Sequence, residues 1–243
     1  MTFKKLGTFS IWKYGGPVAQ EVRERLIGPT EDFERMARLC GYRRIAGLDE
    51  AGRGPLAGPV VAAAVILPTH CRLPQVDDSK QLSESARERL FDEIHGKAVG
   101  VGIGLADAAE IDRLNILEAT RLAMRRAIEN LLPLPDYLLI DAVTLSGVQI
   151  PQRPVIKGDT LSVSIAAASI IAKVTRDRLM TVYHEEFPVY EFLSHKGYGT
   201  ATHLERLARH GPCAIHRRTF APVQKVLSGV GQTVGLMFER EEL

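Results

Sequence analysis

The sequence predicts a single α/β domain, a mixed sheet with helices on both faces, and three observations predict it. Two apolar β segments lie close together near the start, Arg44–Glu50 and Gly58–Leu67, joined by a Gly/Pro-rich turn over 51–57. Strand and helix patterns then alternate as far as Asp141, and an alanine-rich helix follows over Ser162–His184. Helix-period and strand-period patterns succeeding one another in this way belong to a layered sheet rather than to a bundle or a sandwich.

Each element has a local reason. Residues 1–40 read as an N-terminal extension, interrupted by Gly15-Gly16-Pro17 and Gly28-Pro29. Its last part, with Phe33, Met36, Ala37 and Cys40 on one side, predicts a helix capped by Thr30 or by the charges of Glu31 and Asp32. The two β segments form a hairpin with a glycine-heavy tip, the second apolar enough to be a central strand. Ser83 caps a helix over Glu84–His95 that Gly96 stops. Val99–Leu105 alternates side chain and glycine, which suits a strand pressed closely on its bare face. Asn115 caps a helix with Leu117, Thr120, Met124, Ala127, Ile128 and Leu131 at helical spacing, ended by Pro133 and Pro135. Tyr137–Ile140 is a short apolar run ending in Asp141, the pattern of a buried parallel strand. Small residues along Ser162–His184 require a close neighbour, and Thr202–Glu205 reads as a capping box opening a helix that Gly211-Pro212 closes. The tail beyond Pro222 is weakly patterned.

Composition narrows the class without naming a partner. The chain has 243 residues, 45% hydrophobic and 25% charged, the profile of a soluble globular protein. Cys40, Cys71 and Cys213 are odd in number and far apart, so neither a disulfide framework nor a thiolate zinc site is expected, and a reducing, cytoplasmic setting is. Val60–Leu67 falls short of the roughly 20 apolar residues a membrane helix needs. The N-terminus is too interrupted by polar residues for a signal peptide. Lysine and arginine total 31 against 29 aspartate and glutamate, a formal +2.

The acids carry the first chemical signal. Asp49-Glu50 ends one apolar strand and Asp141 another, while Asp159 stands just before the alanine-rich helix. One such Asp is as well explained by a turn cap. Several together point to a site, because strand C-termini converge on the ligand crevice of an open α/β sheet. Clustered carboxylates repel one another unless a divalent cation sits between them, and an oxygen-only donor set favours magnesium or manganese over zinc. Successive strand residues face opposite ways, so Glu50 reaches the Asp49 side only if the strand breaks at Glu50. The turn that follows provides for such a break. Asp77, Asp78 and Asp177 read as structural.

Five ordered motifs then resemble ribonuclease HII, the type 2 ribonuclease H. They are Gly47–Pro59 (GLDEAGRGPLAGP), Asp78-Ser79-Lys80, Leu139-Ile140-Asp141, Lys157-Gly158-Asp159 with Ser164–Ser169 and Ala172–Asp177, and His195–Tyr198. The resemblance covers about Ile45 to Phe220. It implies a ribonuclease H-like fold: a central mixed five-stranded sheet flanked by helices, in a catalytic domain over 41–222 with a helical C-terminal part from about 185 and a tail over 223–243.

It also implies a metal site of Asp49, Glu50, Asp141 and Asp159 binding Mn2+ or Mg2+ in a two-ion arrangement. Asp49 and Asp141 would hold both ions, with Glu50 and Asp159 completing the coordination. Gly52-Arg53-Gly54, together with Tyr198, would read the ribose 2′-hydroxyl, the group that separates RNA from DNA. Lys80, Lys173, Lys196, Ser164 and Ser169 become candidates for phosphate contact. The implied activity is hydrolysis of the RNA strand of RNA–DNA hybrids and of the phosphodiester 5′ of ribonucleotides in duplex DNA, by a monomer.

Charge distribution agrees with a polyanion partner. Lys196, Arg206, Arg209, Arg217 and Arg218 face Glu205 alone between His195 and Arg218. His203 and His210, seven apart, are expected on one exposed helix face. The rival readings are a related two-metal DNA nuclease and a non-catalytic nucleic-acid-binding module. A kinase or phosphate-transfer reading lacks a GxxxxGK[ST] loop.

Overall fold

A computed structural model describes residues 28–71, 73 and 82–229. Its sheet is built from β1 (Ile45–Ala51), β2 (Val60–Ile66), β3 (Gly100–Ala106), β4 (Tyr137–Asp141) and β5 (Gln152–Val155). The order across the sheet is β3-β2-β1-β4-β5. The first three strands pair antiparallel and β4 and β5 add on in parallel, giving the mixed five-stranded sheet. β5 carries no sequence signal, since QRPV is short, polar and interrupted by proline, which the ladder tolerates at an edge.

The helices, in chain order, are α1 (Asp32–Leu39), α2 (Glu84–Lys97), α3 (Ala108–Leu114), α4 (Ile116–Glu129), α5 (Gly158–Leu161), α6 (Val163–Glu186), α7 (Phe192–His195), α8 (Ala201–His210) and α9 (Ala221–Leu227). α4 covers one face of the sheet through Ala119, Ala123, Met124 and Ala127, packed on Ala46, Leu48, Ala62 and Ile140. α6 covers the other face, with Ala166–Ala168, Ile170 and Ile171 against Ala63 and Val65. Small residues bring backbone onto backbone on both faces. A Cβ added at Gly102 or Gly104 would lie 2.1 or 2.2 Å from carbonyl oxygens of α4, and one at Gly47 would lie 2.1 Å from the backbone of Ser164.

Several local expectations are corrected. α2 runs through Gly96 to Lys97, because Ser83 caps its start but no left-handed residue ends it at Gly96. Leu117 lies on the half-exposed side of α4. α3 lies where the sequence predicts no element; Asp107 and Glu110 form a reciprocal capping box at its start. α8 is capped by Thr200, whose hydroxyl accepts from His203 N–H, so the expected box at Thr202–Glu205 does not form. At the C-terminal end, α9 docks Val223 against Leu56 and Leu207, so ordered packing reaches past Pro222.

Residues 28–40 lie against the domain. Ala37 and Phe33 pack with Ile45, Leu139 and Ile165. Thr30 exchanges backbone hydrogen bonds with Leu161 and Val163. Glu34, 2% exposed, accepts from both hydroxyls of Ser162 and Ser164 and from Ser164 N–H, all on one carboxylate oxygen.

Candidate active site

The acids meet where β1 and β4 end. Leu48 pairs with Ile140, so Asp49 and Asp141 are the next residues along two adjacent parallel strands. Alternation puts both on the α6 face, since Leu48 and Ile140 belong to the opposite core. Asp49 is 5% exposed. Its carboxylate accepts from Glu50 N–H at 2.7 Å and from the Ser169 hydroxyl on α6. Burial, then the charges of Glu50 and Asp141, push its carboxyl well above the usual carboxylate range. Asp141 accepts from Gly158 N–H at 2.7 Å, which ties the strand end to the short helix α5 that carries buried Asp159.

Glu50 differs from expectation. The ladder does not break there: Glu50 pairs with Ala62 and Ala51 with Val61, and the chain departs only at Gly52, whose φ of 95° is a left-handed conformation. Glu50 therefore starts from the opposite strand face, yet its carboxylate comes close enough to add its charge to the burial that raises Asp49, and it is held by Arg53 Nη1 at 3.2 Å. Among the described residues, no three His, Cys, Asp or Glu side chains already form a metal cage. The acids do place like charges beside Asp49, which burial first and then Glu50 and Asp141 raise, and a divalent cation relieves that repulsion.

The glycine-rich turn is held from inside by two buried arginines. Arg217, with no exposed surface, donates from Nε to Gly58 O at 3.0 Å, from Nη1 to Arg53 O at 2.9 Å and from Nη2 to Gly52 O at 2.5 Å. Arg176 donates to Pro59 O at 3.1 Å and Ala57 O at 3.2 Å. Burial lowers both guanidinium pKa values, that of Arg217 to about 9 with the charge of Arg176 contributing. The turn therefore rests on a fixed positive base. Tyr198 stands beside it: the site where a Cβ of Gly54 would sit is 3.7 Å from its ring, and Arg176 lies 5.9 Å from the ring centroid. At 45% exposed, Tyr198 is a surface tyrosine rather than a core aromatic.

The remaining candidates divide. Ser169 joins the acids. Ser164 does not face a phosphate, because it is fully buried with hydroxyl and N–H committed to Glu34. Lys173 is paired with Asp177 at 2.7 Å. Lys196, at φ 49°, caps α7 two residues before Tyr198. Lys80, like Asp77 and Asp78, lies outside the described residues. The basic face shrinks, since Arg217 is internal and Arg206 pairs with Glu191. His203 is fully buried and points inward, so it shares no exposed face with His210. Sequence reasoning missed the roles of Arg176, Arg217 and Glu34; each is a charged residue whose partners are carbonyls or hydroxyls distant in sequence.

The fold has clear relatives among solved structures. The ribonuclease H2 of Pyrococcus horikoshii matches with a TM-score of 0.67 at 27% identity, over 77% of this chain and 98% of that one. A ribonuclease HII of Archaeoglobus fulgidus, solved with PCNA, matches at 0.59 and 27%, over 72% of this chain and 92% of that one. Sheet, helices and strand-end acids thus define a nuclease of the ribonuclease H class. The family model "Ribonuclease HII" matches residues 46–223. A ribonuclease HII of Syntrophotalea carbinolica is 55% identical over 82% of this chain and 98% of its own length. That of Bacillus subtilis is 54% identical over 84% of this chain and 79% of its own length. The chain belongs to the ribonuclease HII family and is a type 2 ribonuclease H endoribonuclease. No described helix is long and apolar enough to cross a membrane.

Proposed function

We propose that this protein hydrolyses the phosphodiester on the 5′ side of a ribonucleotide, in RNA–DNA hybrids and at single ribonucleotides within duplex DNA. Water attacks phosphorus, the bond to the 3′ oxygen of the preceding nucleotide breaks, and a 3′-hydroxyl and a 5′-phosphate remain.

The observation that carries this reading is the placement of Asp49 and Asp141 on adjacent strand ends. There Asp49 is buried and raised by Glu50 and Asp141. Asp49, Glu50, Asp141 and Asp159 would hold Mg2+ or Mn2+. Such ions would supply an activated water and charge neutralisation at the leaving oxygen. The chain's own contribution is orientation: Ser169 fixes the Asp49 carboxylate and Gly158 N–H fixes that of Asp141.

Selectivity for ribose would come from the Gly52–Gly54 turn with Tyr198. The turn carbonyls are drawn inward by Arg217, and the phenol ring is exposed beside Gly54. The test is cleavage of labelled duplex DNA containing one ribonucleotide, beside all-DNA duplex and full hybrid, with magnesium and with manganese. Asp49→Asn and Asp141→Asn should be inactive on every substrate, and Tyr198→Ala should lose cleavage at the single ribonucleotide. Full activity in either Asn variant, or cutting of all-DNA duplex, overturns the assignment.

A further inference from the structure

Behind Tyr198 lies a group of buried histidines that the acid site does not use. His203 and His216 are within 1% of full burial and His195 is 8% exposed. Their proton positions follow from their partners. Cys213 N–H donates to His216 Nδ1 at 3.0 Å, so the proton of neutral His216 is on Nε2. That Nε2 is 3.0 Å from His203 Nε2, which must accept, leaving the His203 proton on Nδ1 to donate to Tyr198 O at 2.9 Å. His195 accepts Gly197 N–H at Nδ1 and donates to Tyr190 O. Burial lowers the pKa of His195 and His203, and burial with the neighbouring His203 lowers His216 to about 4, so all three are neutral near pH 7.

This chain of bonds joins two separate parts of the recognition site. His203 holds the carbonyl of Tyr198. His216 lies in the 213–217 segment that supports the turn: Ile215 O accepts Gly58 N–H, Leu56 O accepts Arg217 N–H, and the Arg217 side chain holds the carbonyls of Gly52 and Arg53. One backbone bond, Leu56 N–H to Gly197 O at 2.8 Å, also links loop and turn, and alone it would leave a pivot. The two imidazoles supply a second tie between the same two segments.

We infer that the His203–His216 hydrogen bond sets the position of Tyr198 against the Gly52–Gly54 turn, making both histidines positioning residues for recognition of the ribose 2′-hydroxyl. The inference rests on the reading of Tyr198 and the turn given above.

The experiment measures kcat and KM on duplex DNA carrying one ribonucleotide, with melting temperature and Mn2+ titration in parallel. His203→Ala and His216→Leu should each lower kcat/KM about tenfold, the effect of a buried hydrogen bond lost with one partner left unpaired. Mn2+ titration should stay at the parental value. The double variant should lose no more than His203→Ala alone, because the pair acts as one tie. His216→Gln, whose amide N–H replaces Nε2–H, should restore most of the loss. So should His203→Asn in part, since its amide reaches the Tyr198 carbonyl; both are mild enough to keep the test open if the larger changes unfold the protein. Losses that add in the double variant, that follow melting temperature alone, or that are absent while Tyr198→Ala is impaired overturn the inference by itself. Tyr198→Ala at the parental rate overturns the underlying reading and the inference with it.

Discussion

His216 makes the fold's acid stability a measurable quantity. Burial and the adjacent His203 hold its pKa at about 4 against 6.5 for an ordinary histidine. The folded state therefore binds this proton less readily than the unfolded chain. Stability from the neutral ring is fully present above pH 6.5, and it is lost as pH falls through that value toward about 4. Each pKa unit corresponds to about 1.4 kcal/mol, so the full loss is about 3 kcal/mol. Replacing His216 with Asn removes this titration while leaving every carboxylate that titrates in the same window. In urea unfolding followed from pH 7.5 to pH 4, the stability gap between parent and His216→Asn should be largest at the top and narrow by about 3 kcal/mol going down. For a domain of this size the corresponding convergence in melting temperature is roughly 6–12 °C. Parallel curves across that window would mean instead that His216 takes up its proton as easily folded as unfolded.

Three further outcomes are expected. Asp49→Asn should abolish cleavage and leave the metal-free protein no less stable, since a neutral amide avoids the burial and the Glu50 and Asp141 repulsion that oppose the carboxylate; a lower melting temperature would contradict that sign. Gly47→Ala should destabilise by several kcal/mol, about 3 or more, because the new methyl would lie 2.1 Å from the Ser164 backbone and force α6 off the sheet; parental chemical stability would count against that packing. Glu34→Ala should lower unfolding free energy by about 2–4 kcal/mol, since the Ser162 and Ser164 hydroxyls and Ser164 N–H lose their shared acceptor; an unchanged denaturation midpoint would show that residues 28–40 add nothing to α6.

Most of the sheet was legible from periodicity. β1, β2, β3 and β4 are apolar or strictly alternating and were read directly, and the glycine face of β3 announced the close approach of α4. β5 was not legible from its residues, because an edge strand of four residues needs neither apolar alternation nor a full set of N–H donors. Among the site acids, Asp49 and Asp141 could be found as charges ending core strands. Glu50 was found too, but its geometry was misjudged: whether a strand stops at one residue or the next depends on the partner strand, and Ala62 keeps Glu50 in the ladder.

Chain-local rules thus account for elements, caps and the carboxylates at strand ends, because hydrophobic period and backbone chemistry act over a few residues. Long-range packing decided the rest. Arg217 looked like part of a basic surface until the fold surrounded it with the carbonyls of Gly52, Arg53 and Gly58, and His203 like an exposed helix residue until His216 met it across 13 positions of sequence. Residues 28–40 looked like an appendage until Glu34 closed on Ser162 and Ser164. A charged or ionisable side chain tolerates both water and a buried hydrogen-bonding partner. Its type therefore does not reveal which it will have; only the tertiary structure, by supplying or withholding the partner, settles it.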